Sequence, residues 1–240
     1  MLQSMIVTHY NLDSVDSTNN WAKRRAHSFA PDEFAVVTAA EQTAGRGRFE
    51  RTWYSPREKN LYISYAFFLR AHTAFTYSQI AALAVYDMLQ ERMIAAQIKW
   101  PNDIVVDKKK IAGILTETLS VHEKTLVIVG IGININVTKS DLAQVNKPAT
   151  SLLEETQKTW SIEEIQKSVT ESFLQKLPQA GTQELTEKWL TATRWMVGTE
   201  TQVRKDESVF KGIVETIEPD GSLILKTTDR EIIIRSGEVF

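Results

Sequence analysis

Before residue 195, apolar residues alternate between dense runs and stretches of helical spacing. Dense runs of β-branched and aromatic residues are typical of buried strands, and they predict strands over residues 6–10, 34–40, 61–69, 98–106, 111–119 and 126–137. Helices are predicted after the capping side chains of residues 16–19, from Thr76 with Gln79, from Ser161 with Glu164, and over residues 182–194. This pattern indicates an α+β fold in which a mixed sheet is packed with helices.

The pattern changes near Trp195, where short strand signals replace the helical spacing. Strands are predicted over residues 199–205, 209–218, 223–227 and 231–235, and residues 219–222 (Pro-Asp-Gly-Ser) form a strong hairpin turn signal. Short strands over roughly 45 residues suggest a small barrel without enough core for an enzyme of its own. We therefore predict a main domain over residues 1–194 and a small SH3-like β-barrel over residues 195–240.

Composition and charge exclude several classes of protein. The net charge of −2 argues against a protein that coats nucleic acid, because no global positive field attracts phosphates. The count of zero cysteines excludes disulfides, thiolate metal sites and a thiol nucleophile. No apolar run reaches the ~18 residues that span a bilayer, and the first residues lack a secretory signal. We expect a soluble, cytoplasmic protein that does not enter the membrane.

A glycine- and arginine-rich loop is the first candidate for chemistry. In residues 45–48 (Gly-Arg-Gly-Arg), glycines permit close approach to a ligand, and Arg46, Arg48 and Arg51 offer forked donors for carboxylate and phosphate oxygens. Taken alone, the loop is more typical of a solvated basic segment, because short Gly-Arg runs are common. RNA contact is a further alternative, because Phe49 and Trp53 lie among the arginines.

The second candidate is a predicted hairpin around residues 107–109 (Asp-Lys-Lys). Residues 99–103 (Lys-Trp-Pro-Asn-Asp) place Asp103 at a proline-stiffened corner, where its carboxylate can act on an amine, help hold magnesium, or simply cap the strand end as an Asx turn. A two-residue turn would put Asp103 and Lys110 on the same face, and a three-residue turn on opposite faces. The sequence leaves the turn length open, and Lys110 also fits a solvated lysine run.

The third candidate is residues 130–134 (Gly-Ile-Gly-Ile-Asn), at the end of a predicted strand. They suggest either a bulged core strand or a floor against which a ring packs, with Asn134 contacting polar edges. They do not form a dinucleotide-binding fingerprint, because no helix pattern follows and the third glycine is absent.

These motifs, in this order, resemble the biotin–protein ligase family, also called biotin–[acetyl-CoA-carboxylase] ligase, in the form without an N-terminal DNA-binding domain. The resemblance covers roughly residues 10–155, and the C-terminal strands resemble the family's small last domain. The first strand signal begins at Ile6, which leaves no room for a winged helix, so we expect no DNA partner. The matching segments are residues 17–19, 41–48, 53–56, 60–61, 99–103, 110–117 and 130–134.

The resemblance implies a two-step reaction in the main domain. Biotin and ATP with Mg²⁺ would give biotinyl-5′-AMP, and a lysine of a biotin carboxyl carrier protein would then take the biotin. A homodimer is left open. The implied catalytic residues are Lys110, Arg48 and Asp103. The implied biotin-binding residues are Ser17, Thr18, Asn19, Gln42, Gly45, Arg46, Lys110 and Gly113, and the implied ATP-binding residues are Arg46, Arg48, Trp53, Asn102, Lys110 and Asn134. The metal ligands are left unassigned.

Two departures from the family pattern concern the dynamics of the loop. Glu50 stands where the family often has glycine, and Phe49 stands where a basic or small residue is common, so we expect a stiffer and less positive loop.

Two rival functions remain at this point. One is a lipoate ligase or octanoyl transferase, although the absence of cysteine excludes a thioester mechanism. The other is a non-catalytic RNA-binding module, which the net charge of −2 disfavours.

Overall fold

A seven-stranded mixed sheet forms the centre of the main domain in a computed structural model that describes residues 5–49, 51–69, 73–205 and 207–240. The strands are β1 (Ile6–Val15), β2 (Glu33–Gln42), β3 (Leu61–Phe68), β4 (Ala96–Lys99), β5 (Asp103–Val106), β6 (Lys109–Val121) and β7 (Lys124–Ile133). Their spatial order is β1-β2-β3-β7-β6-β5-β4. The β1–β2 pair is parallel and the other pairs are antiparallel. The predicted α+β class and mixed sheet are confirmed.

Helices cover the two faces of this sheet unequally. They are α1 (Thr18–Arg24), α2 (Ala74–Gln90), α3 (Lys139–Leu142), α4 (Leu152–Thr156), α5 (Ile162–Lys176) and α6 (Gln183–Thr193). The larger core joins α2, α5 and α6 to the sheet, and Phe34, Tyr65, Phe67 and Phe173 form an aromatic cluster inside it. A smaller core lies under α1, where Ala22 packs with Ile128. Apolar residues therefore fill both sides of the sheet.

Among the described residues, no helix combines the length and the apolar character that a bilayer crossing requires.

The predicted single strand over residues 98–106 is wrong, because the chain reverses inside it. Strand β4 ends at Lys99, the Trp100–Pro101 peptide bond is cis, and β5 returns antiparallel with Lys99 opposite Asp103. The apolar residues on both sides of this short turn resemble one strand in sequence, because each arm has only four residues.

The length of the next turn settles the relation between Asp103 and Lys110. Asp107 and Lys108 both have positive φ (46° and 60°), and Val105 pairs with Lys110, so the turn has two residues. A register irregularity between Ile104 and Val105 then places Asp103 opposite Gly113 rather than Ala112. The same-face alternative holds, since the Lys110 ammonium lies 2.6 Å from the Asp103 carboxylate.

The predicted cap is correct for one helix and wrong for two others. Ser161 accepts a hydrogen bond from the third residue of its helix, as predicted, and Thr182 does the same for α6, where no cap was predicted. Helix α2 begins earlier than the pattern suggested, because Thr73 rather than Thr76 is its N-cap. Ser17 precedes α1 without a side-chain cap bond.

The C-terminal part forms a separate five-stranded sheet, as predicted, although its final strand was not foreseen. Its strands are β8 (Glu200–Lys205), β9 (Ser208–Ile217), β10 (Leu223–Lys226), β11 (Glu231–Ile234) and β12 (Glu238–Val239), in the spatial order β11-β10-β9-β8-β12. A two-residue strand such as β12 is too short for periodicity to indicate. The boundary at residue 195 stays a prediction.

Two tryptophans join the C-terminal region to the turn after β4. The buried Trp100 indole donates a hydrogen bond of 2.8 Å to the Gly221 carbonyl, and its backbone N–H contacts the Met196 sulfur. Trp195 donates from its indole to the Ile98 carbonyl at 2.9 Å. These bonds fix the C-terminal sheet beside the Lys-Trp-Pro-Asn-Asp segment.

We predict that Trp100→Phe lowers the free energy of unfolding by about 1–3 kcal/mol, because it leaves the Gly221 carbonyl without its buried donor. Urea unfolding measures the change. Trp21→Phe serves as the control, since Trp21 is only partly buried on α1, and a smaller loss is expected there. An equal loss in the two variants would contradict the proposed importance of the Trp100 hydrogen bond.

Candidate active site

A cleft of about 620 Å³ lies between the main sheet, the glycine-arginine loop and the C-terminal sheet. It gathers segments that are far apart in sequence. Of the residues predicted for the site, Gly45 is the exception that does not line it. The predicted residues that line it are Ser17, Thr18, Asn19, Gln42, Arg46, Arg48, Trp53, Asn102, Asp103, Lys110, Gly113 and Asn134.

Buried neutral polar groups form the part of the cleft nearest α1. The Thr18 backbone N–H donates to the Gln42 side-chain oxygen at 2.9 Å, and the Gln42 amide donates to Ser55 at 3.0 Å. Ser64 donates to the Asn19 side-chain oxygen at 2.6 Å, and Asn19 donates to the Leu115 carbonyl at 3.1 Å. These bonds fix the orientation of each side chain, so this part of the cleft suits a small uncharged ligand with several polar edges.

Glycines on β6 and β7 let side chains lie flat against the sheet. A Cβ atom on Gly130 would collide with the Asn19 side chain, and one on Gly132 would come within 2.5 Å of the Trp53 indole. The Trp53 ring therefore packs directly on the strand, and the Lys110 ammonium lies 5.1 Å from its centre. Among the described residues, the buried Trp53 indole N–H has no hydrogen-bond partner, because the edge of the ring that carries it packs against Gly132.

The two central arginines of the loop have different partners. Arg46 donates to Asn20 at 2.6 Å and reaches Glu117 at 3.4 Å, so it lies against α1 and β6. Arg48 donates to Ser236 at 2.8 Å and to the Gly237 carbonyl at 3.2 Å, so it lies against the C-terminal sheet. Gly45 is needed for packing, since a Cβ atom there would collide with the Ser55 hydroxyl.

Lysines and carboxylates from several segments meet deeper in the cleft. Lys110 and Asp103 form the 2.6 Å ion pair, and each side chain is 29% exposed, so both remain accessible to a ligand. The Asn102 amide donates to the Ile114 carbonyl at 2.6 Å, which holds the corner of the hairpin against β6. The buried Asn134 amide donates to the Thr150 carbonyl at 3.0 Å, so its amide group supports the neighbouring backbone.

Several charged residues of the cleft were not predicted as site residues. They include Lys99, Lys147 and Glu238. Burial lowers the pKa of Lys99. Burial, followed by repulsion from Arg51 and other cations, lowers the pKa of Lys147 to about 8, even though the Glu238 carboxylate contacts its ammonium. No local pattern marks Lys147 or Glu238, because each is an isolated charge in a loop or a short strand.

Positive charge dominates this deeper part of the cleft. Burial lowers the pKa of Arg48, and the nearby Asp103 carboxylate opposes that shift. Among the described residues, no group of three or more histidine, cysteine, aspartate or glutamate side chains is arranged to hold a metal ion. An anionic ligand therefore fits this part better than a cation held by the protein alone.

Comparison with known families gives two matches along the chain. Residues 12–134 match the pattern of the Biotin/lipoate A/B protein ligase family, and residues 197–240 match that of the Biotin protein ligase C terminal domain. The first match contains the neutral pocket, the loop and the Lys110–Asp103 pair. The second contains all five strands of the C-terminal sheet.

Curated relatives show two kinds of similarity. The chain is 39% identical over 147 residues to the bifunctional ligase/repressor BirA of Bacillus subtilis, a match that covers 58% of this chain and 44% of that protein. The chain therefore spans less than half of the length of that relative. It is 33% identical over 243 residues to a biotin–[acetyl-CoA-carboxylase] ligase of Paracoccus denitrificans, a match that covers 95% of this chain and 98% of that protein.

Solved structures share the fold over nearly the whole chain. A biotin protein ligase from Aquifex aeolicus in complex with biotin and ATP has a TM-score of 0.76 and 28% identity, covering 97% of each chain. A biotin protein ligase from Leishmania major in complex with biotinyl-5-AMP has a TM-score of 0.67 and 23% identity, covering 95% of this chain and 99% of that one. The second likeness concerns the fold alone.

The carboxylate of Glu117 connects α1 with the loop, and its effect on stability depends on pH. Burial opposes its ionisation, but hydrogen bonds from Lys23 and Asn19 and the charge of Arg46 lower its pKa below the ordinary value of 4.5. A lowered pKa in the folded state gives stability that is present above pH 4.5 and is lost as the pH falls through the folded value.

We therefore expect Glu117→Gln to flatten the fall in unfolding free energy between about pH 5 and pH 3. Urea unfolding at stepped pH values measures both profiles. Glu171→Gln, on the exposed side of α5, is the matched control and should keep the wild-type slope. A wild-type slope in Glu117→Gln would exclude Glu117 as a source of acid sensitivity.

Proposed function

This chain belongs to the Biotin/lipoate A/B protein ligase family, and we propose that it is a biotin–[acetyl-CoA-carboxylase] ligase. It would activate biotin with ATP to biotinyl-5′-AMP and transfer the biotin to one lysine of a biotin carboxyl carrier protein. The observation that carries the proposal is a single cleft with a neutral polar pocket at one end and converging cations around the Lys110–Asp103 pair at the other. The full-length similarity to the Paracoccus ligase supports it.

We assign the neutral pocket to biotin. Its ureido ring offers both donors and acceptors, which matches the side chains of Ser17, Thr18, Asn19 and Gln42. Gly113 leaves room along the strand between that pocket and Lys110. Residues 45–46 would close over the bound acid, and Arg46 is held for this by Asn20 and Glu117.

We assign the cationic end to the phosphates of ATP. In the first step a biotin carboxylate oxygen attacks the α-phosphorus, the bond to the β-phosphate oxygen breaks, and pyrophosphate leaves. Two anions repel each other, so the reaction needs fixed positive charges to align them. Lys110 would contact both the carboxylate and the α-phosphate, and Arg48 would offset the phosphate charge.

We assign the nucleoside of ATP to the part of the cleft around Trp53, Asn102 and Asn134. The Trp53 ring, which packs on the strand at Gly132, would supply an aromatic surface beside the nucleoside. The Asn134 amide already bonds to backbone, so its contribution would be to shape the wall beside the nucleotide.

In the second step the carrier lysine amine attacks the carbonyl carbon of biotinyl-5′-AMP, and AMP leaves. We propose that the Asp103 carboxylate orients this amine and accepts its proton. Asp103 is bonded to Lys110 at 2.6 Å, so the same carboxylate also orients the lysine that acts in the first step.

Magnesium would accompany ATP rather than occupy a site made by the protein alone. Asp103 and Asn102 would offer a carboxylate and an amide oxygen at the cationic end, and the phosphates would supply the remaining ligands. Bound Mg²⁺ would offset phosphate charge.

The carrier protein as partner, a cytoplasmic location and a homodimer are further parts of the proposal, and each is open to direct measurement.

Biotin-dependent exchange of labelled pyrophosphate into ATP tests the proposal most directly. Exchange with biotin and none with lipoate or octanoate is expected, followed by transfer to a purified biotin carboxyl carrier domain. Exchange only with lipoate or octanoate would reassign the enzyme within the family. Absence of exchange together with salt-sensitive RNA binding would support the non-catalytic alternative.

Lys110→Ala tests the reacting end of the cleft. We predict a loss of biotin-dependent exchange of about 100-fold or more, because a charge that aligns both reactants is removed. Lys124→Ala is the matched control, since Lys124 is an exposed lysine at the start of β7, outside the cleft lining. Circular dichroism should show both variants folded. Unchanged exchange in Lys110→Ala would reject its assigned role.

The charge of Lys147 gives nucleotide binding a pH dependence. Its pKa is lowered to about 8, so the ammonium loses its proton above that pH, well before an ordinary lysine does. We predict that the KM for ATP rises as the pH passes about 8. Lys147→Arg, which stays charged, should flatten this rise. The same rise in both proteins would assign the pH dependence to another group.

A further inference from the structure

Glu238 is an enclosed carboxylate among the cations at the mouth of the cleft. It lies on β12 with its side chain only 10% exposed, and its carboxylate forms ion pairs with Arg51 and Lys147. Arg51 comes from the glycine-arginine loop, and Lys147 comes from the segment between α3 and α4. One carboxylate therefore joins three segments of the chain that all line the cleft.

Without such a carboxylate, these cations would repel each other. The positive charge of Arg51 acts on Lys147, as do the charges of Lys110 and Lys99. Cations brought together in a partly enclosed site are unfavourable unless a counter-charge lies among them. Asp103 offsets Lys110, and Glu238 offsets the pair that lies farther out.

The side chain of Glu238, and not the strand that carries it, is the part that can move. Strand β12 has two residues and pairs with β8 through Glu238–Arg204 and Val239–Val203, and Val239 is buried in the main hydrophobic core. Burial of Val239 holds the strand in place, whereas the Glu238 carboxylate is held by its ion pairs with Arg51 and Lys147. Rotation of the Glu238 side chain would withdraw the carboxylate while the Arg51 and Lys147 side chains remain on the cleft wall.

We propose that Glu238 is an internal counter-ion that occupies the place of phosphate oxygens on Arg51 and Lys147 and is displaced when the phosphates of the nucleotide bind. This inference rests on the proposed function, because it assumes that the cationic end receives a polyphosphate. Glu238 holds the cations of the empty site together. It also lowers the affinity of the site for phosphate, because its carboxylate and the phosphate compete for the same two cations. It thereby sets the affinity for the β- and γ-phosphates, and their binding releases the Glu238 carboxylate from Arg51 of the loop.

Direct binding of inorganic pyrophosphate, without biotin or ATP, tests the proposal. We expect Glu238→Gln to bind pyrophosphate about fivefold more tightly by isothermal titration calorimetry, because a competing charge is removed from two cations. The Tm without ligand should fall, and the rise in Tm on adding pyrophosphate should exceed that of the wild type. Glu215→Gln is the matched control, since Glu215 is exposed on β9 outside the cleft lining.

A second pair of variants keeps the test valid if Glu238→Gln does not fold. Lys147→Gln and Lys147→Gln/Glu238→Gln differ only in the carboxylate, and the double variant leaves one cation without its partner, Arg51, where Glu238→Gln leaves two. The double variant should bind pyrophosphate more tightly than the single one, because Arg51 is then free of competition.

Three results would overturn the inference. They are equal affinity in the compared proteins, weaker binding once the carboxylate is removed, and no pyrophosphate binding to any of them. Weaker binding would mean that Glu238 holds the cations in place for phosphate instead of competing with it. The wild type's biotin-dependent exchange is measured separately, so a failure of the proposed function is distinguished from a failure of the role assigned to Glu238.

Discussion

Mutual repulsion among cations is the constraint on which the arrangement of the cleft depends. Five positive side chains from four segments converge at one end of it: Lys99, Lys110, Lys147, Arg48 and Arg51. Two carboxylates, Asp103 and Glu238, lie among them as ion-pair partners. An excess of positive charge in a partly buried site is unfavourable in the empty protein and favourable once an anion is bound. The same excess of positive charge that is unfavourable in the empty cleft therefore favours the binding of an anion.

The opposite end of the cleft follows a different physical rule. Its groups are neutral, buried and already hydrogen-bonded to one another, as in the contact of Gln42 with both Thr18 and Ser55. Such a network has few alternative geometries, because each broken bond would leave a buried polar group unpaired. Rigidity at this end and excess charge at the other suit a reaction in which one neutral ring is held fixed while two anions are brought together.

The C-terminal sheet contributes to the cleft through a few specific contacts. Trp100 and Trp195 attach the sheet to the hairpin, while Arg48 and Arg51 contact residues 236–238. The sheet therefore supplies part of the wall and one of the two carboxylates. A small sheet of this kind does not need a catalytic core of its own, since its contribution is to position the loop and to balance its charge.

The sequence alone determined the class of fold, the glycine-arginine loop and the ordered motifs that indicate the family, because these are encoded by neighbouring residues. It also narrowed the relation of Asp103 and Lys110 to a choice between two turn lengths. The proposed effect of Glu50 on the loop lies outside the described residues. For Phe49, the structure adds that its ring lies exposed beside the Arg48 guanidinium.

Only the tertiary structure decided that this turn has two residues, that residues 98–106 form two strands, and that Arg46 and Arg48 have different partners. It also brought Lys147 and Glu238 into the cleft. The reason is physical: local propensity acts between residues close in sequence, whereas register, ion pairing and convergence of charge depend on segments that meet only when the chain is folded.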